Sequence, residues 1–113
     1  MPALRTIVHP VKDLAKARAL YAALLGTEPY ADQPYYVGFR AGEVELGLDP
    51  NGHAKGMTGP VGYWEVDDVD GHLQRLVDAG ATVQQGVTDV GGGKLTATLA
   101  DAHGNVIGLT QSP

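Results

Sequence analysis

One strand–helix unit, Val61 to Gly80, and its echo earlier in the chain constrain the fold more than any other feature. Val61, Tyr63, Trp64 and Val66 make a short apolar stretch rich in β-branched and aromatic residues, which suits an extended backbone. The period then changes: Val69, Leu73, Leu76 and Val77 share one stripe of a helix. Asp68 is placed to accept from the free amides of the first turn, and Gly80 to take the left-handed conformation that ends it. The segment from Thr6 to Gly26 follows the same plan, with Val66-Asp-Asp-Val lying 55 residues after Val11-Lys-Asp-Leu and Gly80 lying 54 after Gly26. Ile107-Gly-Leu109 repeats Leu46-Gly-Leu48 at a spacing of 61. Strand, cap, helix, terminal glycine and late strand recur in one order, as expected of a duplicated module of about half the chain.

Taken in order, residues 4 to 10 read as a strand and Asp13 caps a helix whose buried stripe is Leu14, Ala17, Leu20, Tyr21, Leu24 and Leu25. Thr27 to Pro34 is a short strand or an irregular link. Tyr35 to Arg40 and Glu43 to Asp49 are strands joined by a tight turn at Ala41-Gly42. Pro50 to Pro60, rich in proline and glycine and without a period, is the link between modules. After the second helix come strands at Thr82 to Val90, Lys94 to Asp101 and Val106 to Gln111, with turns at Gly91-Gly-Gly93 and Ala102 to Asn105. The expected fold class is α+β: two tandem βαβββ modules, 1–57 and 58–113, forming a curved mixed sheet around a cleft within a single domain, 1–113.

With 113 residues the chain is long enough to bury about two-thirds of the surface its unfolded form exposes. It has no cysteine, which removes disulfides, thiol nucleophiles and thiolate metal sites and fits a reducing compartment. A net charge of −5 without a basic run speaks against nucleic acid and anionic membranes as partners. No stretch reaches the roughly 20 apolar residues of a membrane span, so a soluble cytoplasmic protein is expected.

Strand alternation sorts side chains onto two faces. Ile7, His9, Leu46, Leu48, Trp64, Val66, Ile107 and Leu109 share the helix-facing parity, with Trp64 expected under the second helix. Thr6, Val8, Glu45, Gly47, Tyr63, Glu65, Gly108 and Thr110 share the other, and one of Tyr35 and Tyr36 joins them. That second face is more polar and is the expected cleft. Flat ligands stack on tyrosine rings, and bare glycines let a ligand approach the backbone. Glu45 and Glu65 are the candidates for acid–base work: burial in an aromatic-lined cleft raises a carboxylate pKa, whereas a hydrated position at the mouth leaves it a plain anion. His9, His53, His72 and His103 are too scattered to form a ligand set, and no serine precedes Ser112. Gly91-Gly-Gly-Lys94 is followed by a strand, not by a helix N-terminus that could meet a phosphate.

Val11 to Gly26, Val66-Asp-Asp-Val with Leu76 to Gly80, and Asp101-Ala-His-Gly-Asn-Val-Ile-Gly-Leu109 resemble the vicinal oxygen chelate superfamily of glyoxalases, bleomycin-resistance proteins and dioxygenases, over essentially the whole chain. In its metal-dependent members, as the resemblance implies, a His or Glu on each of four strands binds a divalent ion. Those positions fall here on Thr6, on Glu45 or Gly47 with the register open, on Val61 and on Gly108. At most one ligand remains where a catalytic ion commonly needs three, so no metal and no cofactor are expected. The resemblance also implies a homodimer. The resulting expectation is a metal-independent binder of a small aromatic or amphipathic molecule, such as a metabolite or antibiotic to be sequestered, held by Thr6, Val8, Tyr36, Glu45, Gly47, Val61, Tyr63, Glu65 and Gly108. The alternative is a cofactor-free isomerase or lyase with Glu45 or Glu65 as base, and a third reading is a non-catalytic structural subunit whose cleft is filled.

Overall fold

A computed structural model describes residues 2–113. The chain is α+β and contains two βαβββ modules. It divides into two compact units, Arg5–Val61 and Gly62–Pro113, the latter joined by the first residues up to Leu4.

In the first module, β1 (Ala3–Pro10) leads into α1 (Leu14–Leu25), followed by β2 (Ala31–Gln33), β3 (Tyr36–Ala41) and β4 (Val44–Asp49). Its strands lie in the order β2-β3-β4-β1. The β1–β4 pair is parallel and the other two are antiparallel, so the sheet is mixed. Asp13 accepts the Lys16 amide at 3.0 Å and starts α1. Gly26, at φ 68°, ends it by donating its own amide to Ala22. Val37, Phe39 and Leu48 are fully buried on the sheet face that meets α1, packed by Val11, Leu14, Ala17, Tyr21, Ala22 and Leu25. Burial of each such side chain is worth about 1.5 to 3 kcal/mol. Leu20 and Leu24 depart from the expected stripe, at 64% and 69% exposed. An α-helix turns roughly 100° per residue, so these two lie well round from the Leu14–Tyr21–Leu25 line and miss the sheet beneath.

The link of residues 50–60 is not featureless. The buried Asp49 carboxylate accepts the Asn51 amide at 2.8 Å and the Lys55 ammonium at 2.7 Å, and a 3₁₀ turn covers His53–Lys55. Gly52 sits so close to Pro10 that a Cβ there would come within 2.7 Å of the proline ring.

The second module runs β5 (Val61–Glu65), α2 (Val69–Asp78), β6 (Thr82–Asp89), β7 (Leu95–Ala100) and β8 (Val106–Gln111). Its order, β5-β8-β7-β6, reproduces the first: the opening strand pairs parallel with the last, the last antiparallel with the third, the third antiparallel with the second. Asp68 caps α2 through the Gly71 amide at 3.1 Å. Val66, Val69, Ala97, Leu99 and Leu109 form its core, with Leu73 and Leu76 of α2 against them. Trp64 has the parity of this face but remains 41% exposed, a correction to its expected place under α2. Before β8, Asp101 accepts the amides of His103 and Asn105 at 2.8 and 2.9 Å and the Asn105 side chain at 3.0 Å, which builds the turn that Gly104 completes at φ 86°. Among the described residues no helix is long and apolar enough to cross a membrane.

Candidate functional site

Because Val37, Phe39, Leu46 and Leu48 face α1, their neighbours in the strands of the first module face away from it. The register places Thr6 beside Glu45 and Val8 beside Gly47 on β1 and β4. On β3 and β4 it sets Gly38 opposite Gly47 and Arg40 opposite Glu45. Two adjacent glycines leave a bare strip of backbone, and an aromatic ring covers it. A Cβ on Gly47 would lie 2.8 Å from Cε1 and Cζ of Tyr36. One on Gly38 would lie 3.1 Å from Tyr36 Cε2 and 3.3 Å from Tyr30 Cε1. Glycine is needed at Gly47 for this reason and not for its dihedral angles.

The Tyr30 and Tyr36 hydroxyls both donate to Glu45, one to each carboxylate oxygen. Thus Thr6, Val8, Tyr36, Glu45 and Gly47, expected to share a face, do so, and Tyr36 and Glu45 are in direct contact. Two further members were not foreseen. Tyr30 precedes β2 in a segment with no period, and its amide is anchored to the Gly38 carbonyl at 3.0 Å. Arg40 shares the parity of Tyr36 and Gly38, the signal by which it could have been found, and its guanidinium lies 4.4 Å from the Tyr30 ring centroid.

In the second module Tyr63 pairs with Gly108 in the parallel register, and its ring covers that glycine: a Cβ there would lie 2.6 Å from Tyr63 Cγ. Val61 opens the same strand and is buried. Glu65 behaves unlike a buried base. Burial, the largest single influence, pushes its pKa up, but donation from the Ser112 hydroxyl, Thr110 hydroxyl and Ser112 amide, aided by the Lys94 charge, outweighs it and leaves the pKa below the ordinary value. Those three bonds measure 2.6, 2.8 and 2.8 Å. Of the two alternatives, the raised pKa therefore fails at Glu65, because its carboxylate accepts from donors on β8 and the residues after it. The carboxylate instead ties the chain end to β5.

The open register on β4 also resolves. Val8 pairs with Gly47 as Tyr63 pairs with Gly108, and Val8 precedes Tyr63 by the 55 residues that separate the two modules' first strands. Gly47, not Glu45, is the counterpart of Gly108.

The family model of the Glyoxalase/Bleomycin resistance protein/Dioxygenase superfamily matches residues 3–109. The chain belongs to this superfamily. No curated protein matches it by sequence. Among solved structures, a Legionella pneumophila protein described as an NAD-dependent benzaldehyde dehydrogenase superimposes with a TM-score of 0.77 at 20% identity, covering 96% of this chain and 98% of that one. A glyoxalase/bleomycin resistance protein/dioxygenase superfamily member from Vibrio splendidus 12B01 gives 0.74 at 16% identity over 97% and 100% of the two chains. Methylmalonyl-CoA epimerase from Mycobacterium tuberculosis gives 0.71 at 17% over 97% and 88%. At such identities these likenesses concern the fold.

Within the glyoxalase superfamily the metal-dependent members imply an ion held by four strand positions. On the resemblance those positions fall here on Thr6, Val61, Gly108 and, by the internal pairing of the two modules, Gly47, with Glu45 two residues before it. Both glycines lie beneath tyrosine rings, and Glu45 takes two phenol donors. Such a donor set does not fit a divalent ion, which wants several His or carboxylate ligands. Among the described residues no three His, Asp or Glu side chains gather into a group able to hold one.

Proposed function

We propose that this chain binds a small, flat or amphipathic molecule without a metal ion, as a cytoplasmic homodimeric binder of the glyoxalase and bleomycin-resistance type, and that it sequesters a metabolite or antibiotic. One observation carries the reading: in each module the glycine that the resemblance sets at a ligand position, Gly47 in the first and Gly108 in the second, lies under a tyrosine ring, so each module offers aromatic surface there and no metal donor. Stacking on such a ring adds about 0.5 to 1.5 kcal/mol beyond area burial. Glu45 fixes the Tyr30 and Tyr36 hydroxyls, which keeps those rings from rotating away when a ligand enters. Thr6, beside Glu45, adds a hydroxyl to orient polar groups.

The enzymatic alternative retains only Glu45 as a base, since the hydrogen bonds that lower the Glu65 pKa make that carboxylate a poor proton acceptor. Turnover abolished by Glu45→Gln would favour it over a binder.

The test is a thermal-shift screen of the purified protein against metabolites, antibiotics and divalent metals. A ligand at about 100 times its Kd adds about 2.7 kcal/mol and moves the midpoint by several degrees. Affinity for the hit should fall in Tyr36→Ala and Glu45→Gln. Stoichiometric metal in protein purified without chelator, or unchanged affinity in both variants, would sink the proposal.

A further inference from the structure

The proposed binding reading leaves the charge of the ligand open, and one side chain in the first module bears on it. Arg40 leaves β3 on the face that carries Tyr36 and Gly38, stands opposite Glu45 in the register, and stacks its guanidinium on the Tyr30 ring at 4.4 Å. The ion pairs of the described residues are those of Arg18 with Glu28 and Asp32 and of Lys55 with Asp49, and Arg40 enters none of them. A cation over a ring face is held by the π system and spends no N–H in the contact. The five guanidinium donors, a planar fork, enter no hydrogen bond or ion pair among the described residues, and such a fork takes a carboxylate through two parallel hydrogen bonds.

Glu45 could be thought to repel such a ligand. Its two oxygens, however, each accept a hydrogen bond from a phenol hydroxyl, of Tyr30 and of Tyr36, which takes about half of the carboxylate's acceptor sites and draws its charge toward the rings. Glu45 is thereby less available to an amine than a bare carboxylate. The cation with unspent donors and the anion with partly occupied acceptors point the same way.

We infer that the ligand carries a carboxylate, that Arg40 pairs with it, and that the body of the molecule lies on the tyrosine surface beside Gly38 and Gly47. Arg40 is then a specificity residue of the proposed site, and the inference rests on that binding reading.

Thermal shift and calorimetry on the full chain with 2-naphthoate, its carboxamide and 2-naphthylmethylamine as matched probes test it. The acid should bind best. Because Arg40 is solvent-exposed, its preference over the amide is expected to be about fivefold, and to shrink as salt is added. Arg40→Gln should abolish the preference, the acid losing about fivefold more affinity than the amide, and Arg40→Lys should keep part of it. If acid and amide bind alike and both weaken in Tyr36→Ala, the carboxylate inference is refuted while the binding reading stands. A preference for the amine, or an acid preference that survives Arg40→Gln, refutes it as well. If none of the three probes binds at millimolar concentration, the flat-ligand reading falls and takes this inference with it.

Discussion

Gly108→Ala puts the covered-glycine argument at risk most directly. Gly108 has no positive φ, so alanine is compatible with its backbone and, on conformational grounds alone, should stabilise by about 0.4 to 1 kcal/mol. The steric term has the opposite sign. The new Cβ would lie 2.6 Å from Tyr63 Cγ and 2.7 Å from Cε2, against about 3.5 to 4.0 Å for carbon atoms in ordinary contact. Cγ lies on the χ2 axis, so turning the ring about χ2 gives no relief, and only χ1 or the backbone of β5 can yield. Overpacking of this kind costs about 1 to 3 kcal/mol, leaving a net loss of about 0 to 2.6 kcal/mol, about 1.3 kcal/mol at mid-range, once the conformational gain is set against it. For a domain near this size the mid-range value is a fall in Tm of about 5 °C. Calorimetric melts of Gly108→Ala, Tyr63→Ala and the double variant form a cycle in which the alanine should be tolerated once the ring is gone. The reasoning fails if Gly108→Ala is as stable as the parent, or if it loses the same amount with and without the Tyr63 ring. Gly47→Ala offers a graded contrast, since the Tyr36 atoms it meets are at the far end of that ring and can swing aside, at the expense of the hydrogen bond to Glu45.

His9 Nδ1 is buried without a hydrogen-bond partner among the described residues, beside the Tyr21 ring at 5.4 Å, so His9→Phe removes a desolvated polar atom and should raise Tm by about 4 °C, equivalent to about 1 kcal/mol; a fall would show that the nitrogen is satisfied in solution. Glu65 has a pKa depressed by folding, so its contribution is complete above its unfolded pKa and is lost as pH falls through the lower folded value. Melts taken from about pH 5 to pH 3 should therefore show a decline that is shallower in Glu65→Gln, and parallel curves would contradict the assignment. Asp13→Ala and Asp68→Ala should each cost about 1 kcal/mol by uncapping α1 and α2, read as a lower urea midpoint with an unchanged slope.

Much of the architecture was legible because the signals for it are local. Period two against period 3.6, an aspartate before each helix and a glycine after it are written in consecutive residues, and the two modules are built as expected. What escaped depends on contacts between distant residues. Leu20 and Leu24 are as apolar as Leu14 and Leu25, and only the width of the sheet under α1 decides which of them it covers. Thr110 could be placed beside Glu65 by parity, but Ser112 is 47 residues away and beyond the last strand, so its two donations, which help lower the Glu65 pKa, carried no pattern. Tyr30 likewise enters the Glu45 cluster through a single backbone bond to Gly38, from a segment without alternation.

The internal pairings show how far the two modules have diverged within one scaffold. Gly38 opposes Gly47 as Thr98 opposes Gly108, which makes Thr96 the counterpart of Tyr36, just as Val8 is the counterpart of Tyr63. The two glycines are thus covered by rings that come from non-equivalent strands: from β3, beside the last strand on one flank, in the first module, and from β5, on its other flank, in the second. A bare glycine between two strands exposes backbone and leaves a void about the size of a side chain, and either neighbouring strand can supply the ring that fills it. The shape requirement is therefore common to both modules while the chemistry is not. Tyr36 brings its hydroxyl to a carboxylate on its own sheet, whereas the Glu65 carboxylate of the second module is committed to Thr110 and Ser112. On the proposed binding reading, ligand discrimination falls to the first module, where Tyr30, Arg40 and Glu45 converge, while Tyr63 covers Gly108.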